Sequence, residues 1–452
     1  MLEGDAVKEY LKRTPMSKKL FEEALKYSPG GVSHNIRYFR PYPFFVKRAE
    51  GSRLIDVDNN AYTDYWMVHM SAILGHAHPE IIRAISRQIP MGFHYGTANE
   101  VSVDLAETIC RNLPSAEMLR FCNSGLEATS YAVRLARGYT SKKYIVKMIG
   151  GWHGGNELQV AVTPPFDKPE SKGILDEQSK FIVSVPFNDI EGTSSSINKL
   201  SGEIAGIIVE PVLGSGGCIP ADLEYLKSLR ELAHDNDALL IFDEVITGFR
   251  VALNSAQGYF HVKPDLTTLG KVIGGGFPIG ALAGRKEIMN LADHTHATGK
   301  GEYVWIGGGT FSMNPMSMTA GLATLRFLIE NPKLYDHIGR LGERARTEVD
   351  RQFADRGIPT KSTGMGSLLQ THFLREEGLC MKNAEDKSIN TLKEKQSKYH
   401  FRLLVNGIFF LPEHEGAISA AHNERDIERL AEASGKIADE MLVEEKSLQS
   451  RD

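Results

Sequence analysis

Cysteine is scarce in this chain, and no long apolar run is present. Only 4 of the 452 residues are cysteines, and no two of them stand in a Cys-x-x-Cys pair. This scatter argues against a disulfide framework and predicts a reducing compartment. The most apolar stretches, such as residues 205–209 and 238–242, have the length of a strand and are far too short to cross a bilayer.

A block of charge of one sign is also missing. The formal net charge is −5, with 52 basic and 57 acidic side chains spread along the chain. Without a basic cluster we expect no nucleic-acid partner, and the mild anionic balance argues against a membrane-binding surface. The first residues, Met1-Leu-Glu-Gly-Asp, lack the apolar core of a signal peptide. We expect a soluble, cytoplasmic protein of metabolism.

What the chain does have is a regular alternation of strand and helix patterns. Short apolar runs predict strands at residues 118–122, 144–149, 181–185, 204–209 and 238–243. Helical periodicity fills the gaps, for example at residues 101–112, 127–138 and 223–233. This order predicts an α/β fold in which a mostly parallel sheet is covered on both faces.

The pattern changes near residue 330, and the length of the chain allows two domains. A charged amphipathic helix is predicted at 333–353, then a strand at 368–373 and a final helix from Glu424. The predicted organisation has four parts: an N-terminal segment at 1–75 with a helix and a β-hairpin that belongs to the small domain, a large domain at 76–330, a small α+β C-terminal domain at 331–445, and a tail at 446–452.

One lysine and one acid stand out. The run Ala238-Leu-Leu-Ile-Phe-Asp243 predicts a buried strand that ends in a carboxylate, and Lys271 lies between an apolar stretch and three glycines at 274–276. Such a pair can hold a pyridine-aldehyde cofactor, because the acid pairs with the protonated ring nitrogen and the amine forms a Schiff base. Separately, each residue has a plainer explanation, as a strand-end acid or a solvated loop lysine.

Three further segments are expected at the same edge of the sheet. Asn123-Ser124-Gly125 follows a predicted strand and opens a helix, where backbone N–H groups and the Ser124 hydroxyl can bind a phosphate. The glycine loop at 150–155 carries Trp152, which can stack on a flat ring, and Glu210 ends another strand. Open α/β sheets bind ligands at this edge. The simpler alternatives are an ordinary N-cap at Ser124 and a packing role for Trp152.

The remaining polar motifs are less specific. Gly307-Gly308-Gly309-Thr310 precedes a predicted helix and is either a second phosphate clamp or a flexible linker. Two His-x-His pairs, at 76–78 and 294–296, have no cysteine nearby, so we expect turns or solvated faces there and no metal. The chain has neither the glycine spacing of a dinucleotide fingerprint nor a Gly-Lys-Ser/Thr phosphate loop.

In combination these motifs resemble the class III (subgroup II) aminotransferases of fold type I, which depend on pyridoxal 5'-phosphate (PLP). Within that group the chain is similar to glutamate-1-semialdehyde aminomutase and to the β-amino-acid aminotransferases, over nearly its whole length. The motifs stand in family order: Pro29-Gly-Gly-Val-Ser33, Leu74-Gly-His-Ala-His-Pro79, Asn123-Ser-Gly125, Val209-Glu-Pro211, Phe242-Asp-Glu-Val245, Thr247-Gly-Phe-Arg250, Leu269-Gly-Lys271 and Gly309-Thr-Phe-Ser312. The resemblance implies the PLP-dependent transferase fold type I, with a large domain around the sheet and a smaller α+β C-terminal domain.

The resemblance also implies roles for individual residues. Lys271 would form the Schiff base and move protons, and Asp243 would keep the pyridine nitrogen protonated. Val245 and Trp152 would lie on the two faces of the ring. The complete set implied for the cofactor is Ser124, Gly125, Leu126, Trp152, His153, Glu210, Asp243, Val245, Lys271 and Thr310.

Two implications concern the substrate and the partner subunit. Arg37 would bind the substrate carboxylate, a role that suits a bidentate guanidinium, and His69 would lie in the same substrate pocket. Thr310 would reach the phosphate of the partner subunit, so the resemblance implies a homodimer.

Departures from the family pattern bear on the reaction. The chain has Leu126 where the family has threonine, Trp152 where it usually has tyrosine, and His69 where the aminomutase has tryptophan. A longer segment at 293–308 replaces a short aminomutase loop, and Pro412-Glu-His-Glu-Gly416 replaces its Ser-x-Phe-Glu motif. We therefore expect an aminotransferase that moves an amino group from a carboxylate-bearing amino acid, such as a β-amino acid, to a keto acid. The alternatives are glutamate-1-semialdehyde 2,1-aminomutase and a non-catalytic binding protein that retained the fold.

Overall fold

The computed structural model describes residues 5–200, 202–299 and 301–449. Its helices are, in chain order, α1 (Asp5–Arg13), α2 (Pro15–Ala24), α3 (Met67–Met70), α4 (Pro79–Gln88), α5 (Glu100–Asn112), α6 (Gly125–Thr140), α7 (Asp176–Ser179), α8 (Ile190–Asn198), α9 (Leu223–Asp235), α10 (Ser255–Phe260), α11 (Lys286–Met289), α12 (Pro315–Glu330), α13 (Lys333–Ala354), α14 (Ala384–Asn390), α15 (Lys393–Val405) and α16 (Glu424–Gln449). Short 3-10 turns lie at Pro29–Gly31, Asn35–Arg37, Ile89–Met91, Lys271–Gly274 and Asn290–Ala292.

The strands are β1 (Val46–Glu50), β2 (Arg53–Asp56), β3 (Ala61–Asp64), β4 (Met118–Cys122), β5 (Tyr144–Met148), β6 (Ile182–Val185), β7 (Ile204–Val209), β8 (Val212–Leu213), β9 (Ile219–Pro220), β10 (Leu239–Asp243), β11 (Leu266–Gly270), β12 (Gly280–Gly284), β13 (Thr360–Thr363), β14 (Leu368–Phe373), β15 (Ile408–Phe409) and β16 (Gly416–Ala417). No helix in the described part of the chain is both long and apolar enough to cross a membrane.

A seven-stranded sheet in the order β4-β12-β11-β10-β7-β5-β6 forms the centre of the molecule. β10 pairs in parallel with β7 and β11, and β5 pairs in parallel with β6 and β7. Only β12 runs antiparallel, between β11 and β4. Every residue of β7 and β10 is buried, as expected for strands that helices cover on both faces. The predicted α/β fold with a mostly parallel sheet is confirmed.

The two ends of the chain come together in a second layer of structure. β15 pairs in parallel with β3, which joins the C-terminal part of the chain to the N-terminal hairpin of β2 and β3. β14 pairs with β13 and β16, and α13 packs along α16. The domain limits at 75, 330 and 445 stay predictions. α16 continues to Gln449, and residues 450–452 of the predicted tail lie outside the described residues.

Candidate active site

Three of the predicted residues lie at carboxyl ends of strands in the central sheet. β10 ends at Asp243, Glu210 follows β7, and Ser124 stands two residues after β4. Asp243 is 5% exposed and Glu210 4%. Because β7 and β10 are parallel neighbours, their carboxyl ends emerge side by side. The chain therefore brings two buried acids and a helix start to one edge of the sheet.

Asp243 is held by three donors. Its Oδ1 accepts hydrogen bonds from Thr268 Oγ1 at 3.0 Å and from the N–H of Val245 at 3.1 Å. Its Oδ2 lies 2.7 Å from Nδ1 of His153. Burial lowers the pKa of His153, so the neutral ring donates through Nδ1 to the carboxylate. These bonds fix the orientation of the carboxylate before any ligand binds.

Lys271 directly follows β11 and has a left-handed backbone, with φ of +48°. Its Nζ has no hydrogen-bond or ion-pair partner among the described residues. Burial lowers the pKa of Lys271 to about 8, an effect that Glu415, Asp243 and Glu210 oppose. An amine with a pKa near 8 is partly unprotonated close to neutral pH, so it can act both as a nucleophile and as a base.

The start of α6 offers N–H groups next to these acids. Ser124 is the N-cap, and its Oγ accepts from the N–H of Glu127 at 3.2 Å. Glu127 Oε2 in turn accepts from the N–H of Asn123 at 2.6 Å. The N–H groups of Gly125 and Leu126 begin the helix, where no preceding turn supplies acceptors. The N-cap interpretation of Ser124 is therefore correct, and a site for an anion remains at this helix end.

Val245 packs against the backbone of Gly125 and of Gly270. A Cβ atom on Gly125 would come within 2.8 Å of Val245 Cγ1, and one on Gly270 within 3.3 Å. Both backbone segments thus lie directly on Val245 and leave no room for side chains there. Trp152 is 36% exposed, and its backbone N–H donates to Glu210 Oε1 at 2.8 Å. Glu210 therefore anchors the loop that carries the indole ring.

Glu415 is a site residue that sequence reasoning missed. It is 2% exposed, and its Oε2 has no hydrogen-bond partner in the part of the chain that the structure describes. A Cβ on Gly214 would lie 3.1 Å from Glu210 Oε2 and 3.5 Å from Glu415 Oε1, so both carboxylates approach the same glycine. Burial, followed by the charge of Asp243, raises the pKa of Glu210. Of the charges that oppose the lowered pKa of Lys271, that of Glu415 has the largest effect. The only signal in the sequence is the pair of glutamates in residues 412–416, Glu413 and Glu415.

His69 lies in a left-handed turn. All four residues of α3, Met67–Met70, have φ between 45° and 64°, a conformation that costs a non-glycine residue about 1 kcal/mol or more. The turn stacks the His69 ring on Trp66, with 4.4 Å between centroids and an interplanar angle of 22°. Burial lowers the pKa of His69 well below its ordinary value, and the charges of Lys271 and His414 lower it further. His69 is thus a neutral ring close to Lys271.

Arg37 ends the short 3-10 turn Asn35–Arg37, and its side chain is exposed. His34 starts this turn, because its Nδ1 accepts from the N–H of Ile36 at 3.3 Å. The charge of Arg37 also lowers the pKa of His69, although less than burial and the charges of Lys271, His414 and His34.

The glycine segment before Thr310 is anchored to the start of α6. Asn123 Nδ2 donates to Gly308 O at 2.9 Å, and a Cβ on Gly309 would lie 2.4 Å from that same nitrogen. These two contacts hold the segment against the residues that precede α6. The side chain of Thr310 is exposed and has no hydrogen-bond partner among the described residues.

These groups match what PLP requires. The site offers a buried carboxylate at Asp243, an unpartnered amine at Lys271, free helix N–H groups at Gly125 and Leu126, and the apolar surface of Val245. A phosphate, a pyridinium nitrogen and an aldehyde would each find a complementary group there.

Comparison with known proteins agrees with this chemistry. The family model described as "Aminotransferase class-III" matches residues 37–406. Glutamate-1-semialdehyde 2,1-aminomutase from Methanocaldococcus jannaschii is 43% identical over 401 residues, which cover 88% of this chain and 91% of that protein. The protein of the same name from Methanobrevibacter smithii is 42% identical over 421 residues, 92% of this chain and 96% of its own. An omega-transaminase from Sphaerobacter thermophilus has a TM-score of 0.87 at 32% identity, covering 95% of this chain and 99% of that one.

The chain belongs to the class-III aminotransferase family and has the fold type I of PLP-dependent transferases. It is a PLP-dependent enzyme that acts on small molecules. Membership of an enzyme family sets aside the non-catalytic alternative.

The expected preference for an aminotransferase over an aminomutase was wrong. Five curated relatives, 39% to 43% identical over 401 to 433 residues, all bear the name glutamate-1-semialdehyde 2,1-aminomutase. One reason for the error is visible in the structure. The segment at 412–416, which lacks the aminomutase motif, still places a carboxylate, Glu415, beside Lys271.

Proposed function

We propose that this enzyme is a glutamate-1-semialdehyde 2,1-aminomutase, which moves the amino group of its substrate from C4 to C5 to form 5-aminolevulinate. Substrate and product are isomers, so the reaction needs no second substrate. The relatives that share about two fifths of their residues with this chain support this choice.

The observation that carries the proposal is Glu415, a buried carboxylate with an unpartnered oxygen beside Lys271. If the cofactor enters the reaction in its amine form, it gives its amino group to C5 before the amino group on C4 is removed, so midway the free carbon chain would carry amino groups on both carbons. A site for that species needs an anionic acceptor for the second ammonium group, because a buried ammonium without one is strongly disfavoured. Glu415 is suited to this role, and Arg37 is suited to the single carboxylate of the substrate.

PLP and the side chains of the protein supply different parts of the chemistry. When bound, PLP supplies an electron sink for the carbon next to an amino group and a place to hold that amino group between C4 and C5. The Nζ of Lys271 takes a proton from one carbon and returns a proton to another, which its pKa of about 8 allows. Asp243 holds a proton on the ring nitrogen, and His153 keeps that carboxylate in place.

The remaining contacts with the cofactor are proposed as follows. Ser124, Gly125 and Leu126 bind the phosphate at the start of α6. Val245 and Trp152 lie on the two faces of the ring. Glu210 holds the Trp152 loop through the backbone N–H of that residue.

A homodimer is part of the proposal. Four large apolar side chains, at positions 91, 93, 305 and 311, are 62–67% exposed. The two segments that carry them meet where the ring of Phe311 packs on that of His94, with 5.1 Å between the ring centroids. Exposed apolar clusters of this kind mark interfaces. Thr310 lies next to Phe311, so a partner subunit covering this surface would bring Thr310 close to the partner's phosphate site.

The experiment that tests the proposed reaction uses purified enzyme and glutamate-1-semialdehyde, with no keto acid and no amino donor added. Formation of 5-aminolevulinate over many turnovers is expected. A lack of product without a keto acid would overturn the proposal. The Glu415→Gln variant should retain its bound cofactor and lose most of this activity.

A further inference from the structure

Arg250 is a buried cation without a buried counter-ion. Its side chain is fully buried, and no carboxylate in the described part of the chain forms an ion pair with it. Burial lowers the pKa of Arg250 to about 9. Removing a guanidinium from water costs free energy unless acceptors bind its N–H groups. The burial of Arg250 therefore indicates that its hydrogen bonds have a structural role.

The donors of Arg250 connect three segments around the active site. Its Nε donates to the carbonyl of Met70 at 2.7 Å, and its Nη1 donates to Ser367 Oγ at 3.2 Å and to the carbonyl of Ile418 at 3.3 Å. Met70 ends the turn that carries His69, and Ile418 lies three residues after Glu415. Arg250 itself lies on the loop that follows β10.

The turn at Met67–Met70 is fastened at both ends. At its start, Asp64 Oδ1 accepts from the N–H groups of Trp66 at 2.9 Å and Met67 at 3.1 Å. At its end, Arg250 holds the carbonyl of Met70. A left-handed backbone is unfavourable at each of its four residues, so surrounding contacts must hold it in this form.

We infer that Arg250 is a positioning residue for the substrate side of the site. Through the Met70 carbonyl it holds the left-handed turn so that His69 stays stacked on Trp66 and close to Lys271. Through its hydrogen bond to the carbonyl of Ile418, Arg250 also holds the segment that contains Glu415. The inference rests on the proposed function only for its kinetic test.

The first test reads the position of Trp66 and needs no turnover. The chain has 3 tryptophans, so Trp152→Phe with Trp305→Phe leaves Trp66 as the only fluorophore of this kind. In that holoenzyme, Arg250→Gln should make Trp66 more accessible to quenching by acrylamide. Arg346→Gln is the matched control, because Arg346 donates to the carbonyls of Gly366 and Leu368 but not to the turn. Equal quenching in both variants would overturn the inference.

The second test is kinetic, with glutamate-1-semialdehyde as substrate and the native tryptophans in place. Arg250→Gln should lower kcat/KM roughly 10- to 100-fold, the range that follows from losing one hydrogen bond of a charged donor, and mainly by raising KM. If that variant does not fold, Arg250→Lys replaces it in both tests. Loss of kcat with an unchanged KM would contradict a positioning role on the substrate side.

A rescue experiment separates this role from a general effect on the core. Val68 lies in the left-handed turn with φ of 55°, and glycine adopts that conformation without strain. Added to the Arg250→Gln variant, or to Arg250→Lys where that replaces it, Val68→Gly should bring the raised KM part of the way back towards the wild-type value, whereas Val103→Gly on α5 should not. Absence of rescue at Val68 would count against the inference. If the wild-type enzyme does not convert glutamate-1-semialdehyde, the proposed function fails, and the quenching of Trp66 alone decides the role of Arg250.

Discussion

His153 donates from Nδ1 to Oδ2 of Asp243 at 2.7 Å, and both side chains are almost completely buried. The second ring nitrogen of His153, Nε2, has no hydrogen-bond partner within residues 5–200, 202–299 and 301–449. Since the ring is neutral and its proton lies on the side of the carboxylate, His153 adds no charge to the site and serves to orient Asp243. We therefore expect Asp243 to supply the charge that faces a bound pyridine ring.

Replacing this charge should stop the chemistry and leave the fold intact. Asp243→Asn should lower kcat by roughly 10³-fold or more, because an amide cannot stabilise the proton on the ring nitrogen. Asp265→Asn is the control, since Asp265 is also buried but pairs with Arg230 and Arg285 away from Lys271. Asp265→Asn should lower the melting temperature, but the kcat of the folded enzyme should stay close to that of the wild type. A rate near that of the wild type in Asp243→Asn would refute the assigned role.

Borohydride reduction of the holoenzyme should attach the cofactor to a single peptide that contains Lys271. Lys147 is the internal control, because burial lowers its pKa to about 7 as well, yet its Nζ donates to the carbonyls of Gly151 and Val160. Lys271→Ala should abolish turnover and labelling. Peptide mapping that finds the label on Lys147, or label in Lys271→Ala, would show that the wrong lysine has been assigned.

The exposed apolar surface around Phe311 should be the dimer interface. Phe311→Asp places a charge in that surface and should shift the protein towards monomers, with loss of activity if Thr310 completes the site of the partner. Light scattering at assay concentration measures the mass. Tyr259→Asp is the control, because Tyr259 is 57% exposed on α10 and outside the patch. A fully active monomer, wild type or variant, would contradict the dimer.

Buried histidines should make stability depend on pH. Burial lowers the pKa of His372 and of His400 to about 3, whereas both bind protons near their ordinary value of about 6.5 in the unfolded chain. Because the folded-state pKa is the lower one, the full stability is present above the unfolded-state pKa of about 6.5 and is lost as the pH falls from about 6.5 towards 3. The slope should approach about 1.4 kcal/mol per pH unit for each histidine.

Denaturant unfolding at about pH 6 and about pH 5, both below the unfolded-state pKa, measures this slope. His400→Gln should lower the slope of the unfolding free energy against pH by the contribution of one histidine. His234→Gln should leave it unchanged, because the side chain of His234 is 84% exposed. If His400→Gln keeps the slope of the wild type, then burial does not hold this ring neutral.

Local patterns were sufficient to predict much of the fold and part of the site. The continuous apolar run of β7 and the Asn-Ser-Gly start of α6 each determine their own structure, and both lie where expected. β12 was not predicted, because Gly-Ala-Leu-Ala-Gly has little strand propensity. Its glycines are needed for close packing, since a Cβ on Gly280 would lie 2.1 Å from the carbonyl of Ser124. Tertiary packing therefore overrode the local preference.

Two parts of the site could not be found from local patterns. The left-handed turn at Met67–Met70 contains no glycine, so nothing in its residues indicates positive φ. It depends on Asp64 and Arg250, which are distant from each other in the sequence. Glu415 lies 144 residues from Lys271, and only the folded chain brings the two together (415 − 271 = 144).

Tracing nitrogen tests the proposed isomerisation most directly. Glutamate-1-semialdehyde labelled with nitrogen-15 is incubated with the enzyme in the presence of unlabelled pyruvate and 2-oxoglutarate. If Glu415 retains the species with two amino groups until the reaction is complete, the label should remain in 5-aminolevulinate, and alanine and glutamate should stay unlabelled. Nitrogen-15 that accumulates in alanine or glutamate at the rate of substrate consumption would show an aminotransferase and contradict the account.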